Sequence, residues 1–77
     1  MKITPEQMKA ARLLLGWSRS SLARHSSVSE TTIGHFEKGK RRASVLDLTV
    51  VRRVLEAAGV EFLAEHGGRG VRLAKTQ

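Results

Sequence analysis

Helix starts and stops punctuate the chain from Thr4 to Gly59 and leave it little freedom over what it can build. Thr4-Pro5-Glu6-Gln7 supplies an N-cap, a proline at the first helical position, an acid in the first turn and a capping-box Gln. The helix it opens is expected to reach about Leu15, where Gly16 offers a left-handed stop. Ser18 caps a short second helix, Arg19 to about His25. Ser29 caps a third, Glu30 to Glu37, which Gly39 ends. Ser44 and Asp47 are rival caps for a fourth helix ending near Ala58, before Gly59. Residues at helical spacing mark the inward faces: Met8, Ala11, Arg12 and Leu15, then Leu22 and Ala23, then Ile33 and Phe36, then Leu48, Val51, Leu55 and Ala58. The run Leu13-Leu14-Leu15 covers more than one face of a helix, so Leu13 or Leu14 must find cover outside a simple bundle.

After Gly59 the period changes from helical to alternating. Val60-Glu61-Phe62-Leu63 and Val71-Arg72-Leu73, with glycines between them, predict a β-hairpin. A lone hairpin is marginal in water, and Val60, Phe62, Val71 and Leu73 form an apolar face that needs cover. That face is read as a dimerisation or docking element; it covers its own first helix or pairs with a partner's strand, the second being slightly favoured. The expected fold is mainly α: four helices in residues 1–59 and a hairpin extension in 60–77 whose end, from Ala74, frays.

At 77 residues the chain holds one domain. Its 14 Lys and Arg against 7 Asp and Glu give a net charge of +7, which points to a polyanionic partner, nucleic acid before an anionic membrane. Cysteine is absent, which removes disulfides, thiolate nucleophiles and Cys-based zinc sites. No apolar run spans a membrane or resembles a signal peptide, so a cytoplasmic protein is expected. An enzyme is not expected either. His25, His35 and His66 lack metal-ligand spacing, no carboxylate pair sits in an apolar setting, and Gly67-Gly68-Arg69-Gly70 opens no helix and reads as a turn. No cofactor or metal is implied.

The break Ser26-Ser27-Val28 joins two short helices, with Ala23 at their closest approach, Val28 plugging the gap and Ile33 anchoring the second. That is helix-turn-helix geometry. The stretches Gly16-Trp17-Ser18-Arg19-Ser20-Ser21-Leu22-Ala23 and Val28-Ser29-Glu30-Thr31-Thr32-Ile33-Gly34-His35-Phe36-Glu37-Lys38-Gly39 resemble the phage-repressor (Cro/C1, XRE) helix-turn-helix family. The resemblance covers roughly residues 5–59 and implies a lambda-repressor-like four-helix bundle; the hairpin is similar to an extension of small stand-alone members. There are departures. Ser27 stands where the family usually has Gly at a position needing φ > 0, which costs on the order of 1 kcal/mol. Arg19 replaces a common Gln and Ser21 a common Glu, both making that helix end friendlier to phosphate.

The resemblance implies that the helix from Glu30 to Glu37 enters the major groove, turning Glu30, Thr31, Gly34 and His35 to base edges. The chemistry fits: a carboxylate for a cytosine amine, a hydroxyl and methyl suited to thymine, an imidazole for a purine edge, and a glycine where helix and groove come closest. Phosphate contacts are expected from Ser18 and Arg19 at a helix N-terminus, from Thr32, and from Lys38, Lys40, Arg41 and Arg42 beyond the third helix. Bland readings stand beside these: Glu30 as a helix-dipole partner, His35 as an idle surface residue, and residues 40–42 as a solvated loop. Arg52, Arg53, His25 and His66 read as surface, and Trp17 as a lid over the first helix. Arg12 lies on an otherwise apolar face and needs a partner; Glu37, which follows the core residue Phe36, is the expected one, and the resemblance implies the same pair.

These readings predict a sequence-specific regulator, repressor-like, binding double-stranded DNA as a homodimer on a palindromic operator. The rival is a protein-interaction module, antitoxin- or antiactivator-like, holding a partner protein through the helix-1 and hairpin surface. RNA binding ranks third, because few aromatics are available for stacking.

Overall fold

The computed structural model of the chain describes residues 3–40, 44–63 and 70–74. Its helices are α1 (Pro5–Leu14), α2 (Arg19–Ser26), α3 (Glu30–Glu37) and α4 (Val45–Ala57), followed by strands β1 (Val60–Phe62) and β2 (Val71–Leu73). Each helix begins on a hydroxyl cap that accepts from an amide in its first turn: Thr4 from Gln7, Ser18 from Ser21, Ser29 from Thr32 and Ser44 from Asp47. Ser44 thus takes the cap for which Asp47 was the rival.

The core lies where the helices converge. Met8 and Ala11 from α1, Leu22 from α2, Val28 from the turn, Ile33 and Phe36 from α3, and Val51 and Leu55 from α4 are buried together with Ile3 and Val60. Ala58, expected inward, is instead exposed. α4 ends at Ala57, the chain turns at Gly59 (φ +111°), and Val60 fills the core position beyond the last turn.

The hairpin is antiparallel, with Val60 opposite Leu73, Glu61 opposite Arg72 and Phe62 opposite Val71. The Leu63 amide donates to the Gly70 carbonyl at 2.9 Å, and the Ala74 amide donates to Gly59 at 2.6 Å. Its apolar face is covered by the chain's own helices. β1 packs on α1 and α4, β2 packs on α1, Val60 enters the core, and Phe62 and Val71 pack against it. Leu73 alone of the four face residues stays largely exposed. Of the two alternatives for this face, cover by the chain's own helices is the one seen, with α1 and α4 providing it. Helices and hairpin share one core rather than dividing at residue 59.

Gln7 ties the two layers together. Its Oε1 accepts from the Thr4 amide, completing the capping box, while Nε2 donates to the Leu63 and Gly70 carbonyls, each at 3.3 Å. A buried amide side chain has both donors and acceptors to satisfy, and this one satisfies both.

Candidate nucleic-acid interface

The interface is built on the crossing of α2 and α3. Ser26, at the end of α2, is buried; its hydroxyl donates to the Leu22 carbonyl at 2.7 Å and accepts from the Val28 amide at 3.2 Å. The turn's buried amide is thereby satisfied, and Val28 is pinned beneath the crossing. Ser27 adopts the left-handed conformation, φ 58° and ψ 21°, the one non-glycine among the described residues with positive φ. Ile33 and Phe36 bury the opposite side of α3.

The outer surface of α3 carries Glu30 and Thr31, both exposed, with Thr32 and His35 half-buried beside them. Gly34, expected to face base edges with them, is buried. A Cβ placed there would lie 3.8 Å from Cδ of Arg19, so the Arg19 side chain from α2 covers the position. Gly34 is thus covered from within the protein rather than exposed with Glu30 and Thr31, and a methyl there would meet Arg19 at ordinary contact distance.

Glu37 holds the last turn of α3. Its side chain is fully buried, and Arg12 reaches it with two 2.9 Å bonds, Nε to Oε2 and Nη2 to Oε1. The remaining Nη1 of Arg12 donates to the Trp17 carbonyl at 2.9 Å. One guanidinium thus joins the last turn of α1, the link into α2 and the end of α3. Burial of its charge is offset by an opposite charge and three hydrogen bonds. Arg19 adds a further bond, Nε to Glu37 Oε1 at 3.3 Å. Spacing along the sequence had marked Arg12 and Glu37 but gave no sign of this third member.

The residues expected to contact phosphate are dispersed. Ser18 is exposed at the N-terminus of α2, its hydroxyl bonded to Ser20 and Ser21. Thr32 accepts from the Ser29 hydroxyl at 2.8 Å. Lys38 and Lys40 are exposed just past α3 and make no ion pair among the described residues. Arg41 and Arg42 lie outside the described residues, as does His66. Arg53 is exposed, whereas Arg52 is half-buried, bonded to Glu56 at 3.1 Å with its guanidinium 5.8 Å from the Phe62 ring centroid. Trp17 packs on the core as a lid and is itself stacked by His25, with ring centroids 4.1 Å apart and planes 16° from parallel. No spacing rule marks that stack, because Trp17 stands outside the helix that carries His25.

Two short helices crossed over Val28, with an outward polar face on the second and, beyond it, cations that make no ion pair among the described residues, define a helix-turn-helix DNA-binding protein. The helix-turn-helix family profile matches residues 8–62, and the chain belongs to that family, in its Cro/C1 (XRE) type. No curated protein matches the chain at a significant level. No described helix is long and apolar enough to cross a membrane.

Proposed function

We propose that this chain is a sequence-specific, double-stranded-DNA-binding transcriptional regulator of the repressor type, acting in the cytoplasm as a homodimer on a palindromic operator. The observation that carries the reading is the outer face of α3: Glu30 and Thr31 are exposed and His35 is half-buried beside them, while Ile33 and Phe36 fix the helix from behind. A helix so mounted presents donors and acceptors to the major groove, where each base pair has a distinct pattern. Thr31 contacts a thymine methyl, His35 a purine edge and Glu30 a cytosine amine. Arg19, Lys38, Lys40, Arg41 and Arg42 hold phosphates, with Ser18 and Thr32 as neutral donors. Two copies related by a two-fold axis read two half-sites, and the operator mirrors that symmetry.

A second reading is favoured by one observation. Leu13, Val45 and Leu46 are 60%, 71% and 72% exposed, with Leu14 at 42%, which is apolar surface that a partner protein could cover. Binding titrations separate the two readings. The protein is titrated at low salt against a duplex from its own promoter region and against random duplex. Tighter binding to the promoter supports the regulator; no binding to either supports the partner-protein module. Sedimentation on the operator reads the stoichiometry, two chains per site being expected.

A further inference from the structure

Arg19 is anchored at one end of its guanidinium and open at the other. Nε donates to the buried Glu37 carboxylate, whereas Nη1 and Nη2 have no hydrogen-bond or ion-pair partner among the described residues. The stem lies against Gly34, and the side chain is 36% exposed. Two positive groups therefore share one carboxylate. Arg12 takes two bonds to it from a buried position, so the excess positive charge of the cluster falls on the Arg19 fork. That fork belongs to the first residue of α2, a helix whose N-terminal dipole favours anions. Much of the rotamer freedom that an arginine loses on binding is here lost in the free protein.

We infer that Arg19 is the pre-oriented phosphate anchor of the interface: Glu37 and Gly34 are its positioning residues, and its two Nη groups grip one DNA backbone phosphate bidentately. The inference rests on the DNA-binding reading above and gives it a mechanism of alignment. Glu37 belongs to the recognition helix and Arg19 to the helix before it, so the grip fixes α3 relative to the DNA backbone while its outer face meets the bases. Lysine cannot replace arginine here. A single ammonium can bond Glu37 or the phosphate, but it lacks the separate Nε and Nη donors needed to hold both in fixed geometry. Gly34 is required to be small because any longer side chain displaces the arginine stem.

The test uses the full chain and random-sequence duplex across a salt series, with circular dichroism confirming that each variant is folded. Arg19→Gln should weaken binding roughly tenfold or more and make the log-log salt dependence shallower by about one unit. Arg19→Lys, though it keeps the charge, should lose nearly as much affinity. Gly34→Ala should bind like the parent, because the added methyl meets Arg19 at ordinary contact distance. Gly34→Leu should weaken binding as Arg19→Gln does, and the double variant should be no weaker than either single one. A parent that binds while Arg19→Lys binds equally well overturns the anchor and leaves the DNA-binding reading standing. So does full additivity of Gly34→Leu with Arg19→Gln. A parent that binds no duplex at any salt overturns both.

Discussion

Arg12 and Glu37, which are 25 residues apart, meet through paired 2.9 Å hydrogen bonds at the point where three helical segments converge. Because Glu37 is wholly buried, removing its partner leaves a charge with incomplete compensation. Arg12→Ala should therefore cost about 3 kcal/mol in chemical denaturation, with Arg19 sparing part of the loss. Arg12→Met fills the same volume and should be milder, although it too leaves Glu37 to Arg19 alone. An Arg12→Ala protein as stable as its parent would show that the carboxylate is solvated in solution.

Ser27 holds a left-handed conformation that glycine adopts without a side-chain penalty. It is exposed, so replacing it removes no core contact. Ser27→Gly should raise stability by about 1 kcal/mol, the backbone gain exceeding the added flexibility of the unfolded chain. Ser27→Val should lower stability, because a β-branched residue fits that conformation worst. Thermal melts of the three proteins order them, and a Ser27→Gly protein that melts below its parent contradicts the account.

Gln7 serves the helix cap and the hairpin at once, and two substitutions separate the roles. Gln7→Glu keeps an acceptor for the Thr4 amide but loses the donors to Leu63 and Gly70. Gln7→Ala loses everything and should cost about 2 kcal/mol. Gln7→Glu should cost no less, since it also buries a charge. Hydrogen exchange at the Leu63 amide reads the hairpin directly: both variants should exchange faster there than the parent. Unchanged exchange would mean that the bridge carries no weight.

DNA contacts should fall into two classes. If each subunit neutralises about four phosphates through Arg19, Lys40, Arg41 and Arg42, the logarithm of affinity falls with a slope of roughly −0.9 per phosphate against the logarithm of salt. Lys40→Ala or Arg41→Ala should weaken specific and random binding together and make the slope shallower by about one unit. Thr31→Ala or His35→Ala should leave random binding intact and reduce discrimination by about 1–3 kcal/mol. An unchanged operator-to-random ratio in both would remove α3 as the reading head.

Much of the architecture is legible because its determinants are local. Thr4, Ser18, Ser29 and Ser44 each cap the helix that follows them, and capping needs only a hydroxyl and a nearby amide. Arg12 was legible for another reason: a charge on an apolar helix face demands a partner. Gly34 has no side chain to indicate which way it faces, so only the placement of Arg19 reveals that it is covered. The direction in which the hairpin docks depends on which surface is left open when four helices have packed, and alternation along a strand carries no such information. Gln7 declared its acceptor through the capping box, while its donors had partners too distant in sequence to infer. Glu37 looked like half of a pair because spacing reveals residues and not how many donors one carboxylate can take.

The bridge from Gln7 also has a consequence for the order of assembly. Its two carbonyl partners lie 56 and 63 residues further along the chain. During synthesis the first helix leaves the ribosome with a complete cap and an amide group still waiting for its acceptors. That amide exchanges water for its native acceptors only after Gly70 has emerged and the hairpin has closed. Helical segments can form as they appear, but this part of the native structure closes only after β2 has emerged and met the first turn of α1.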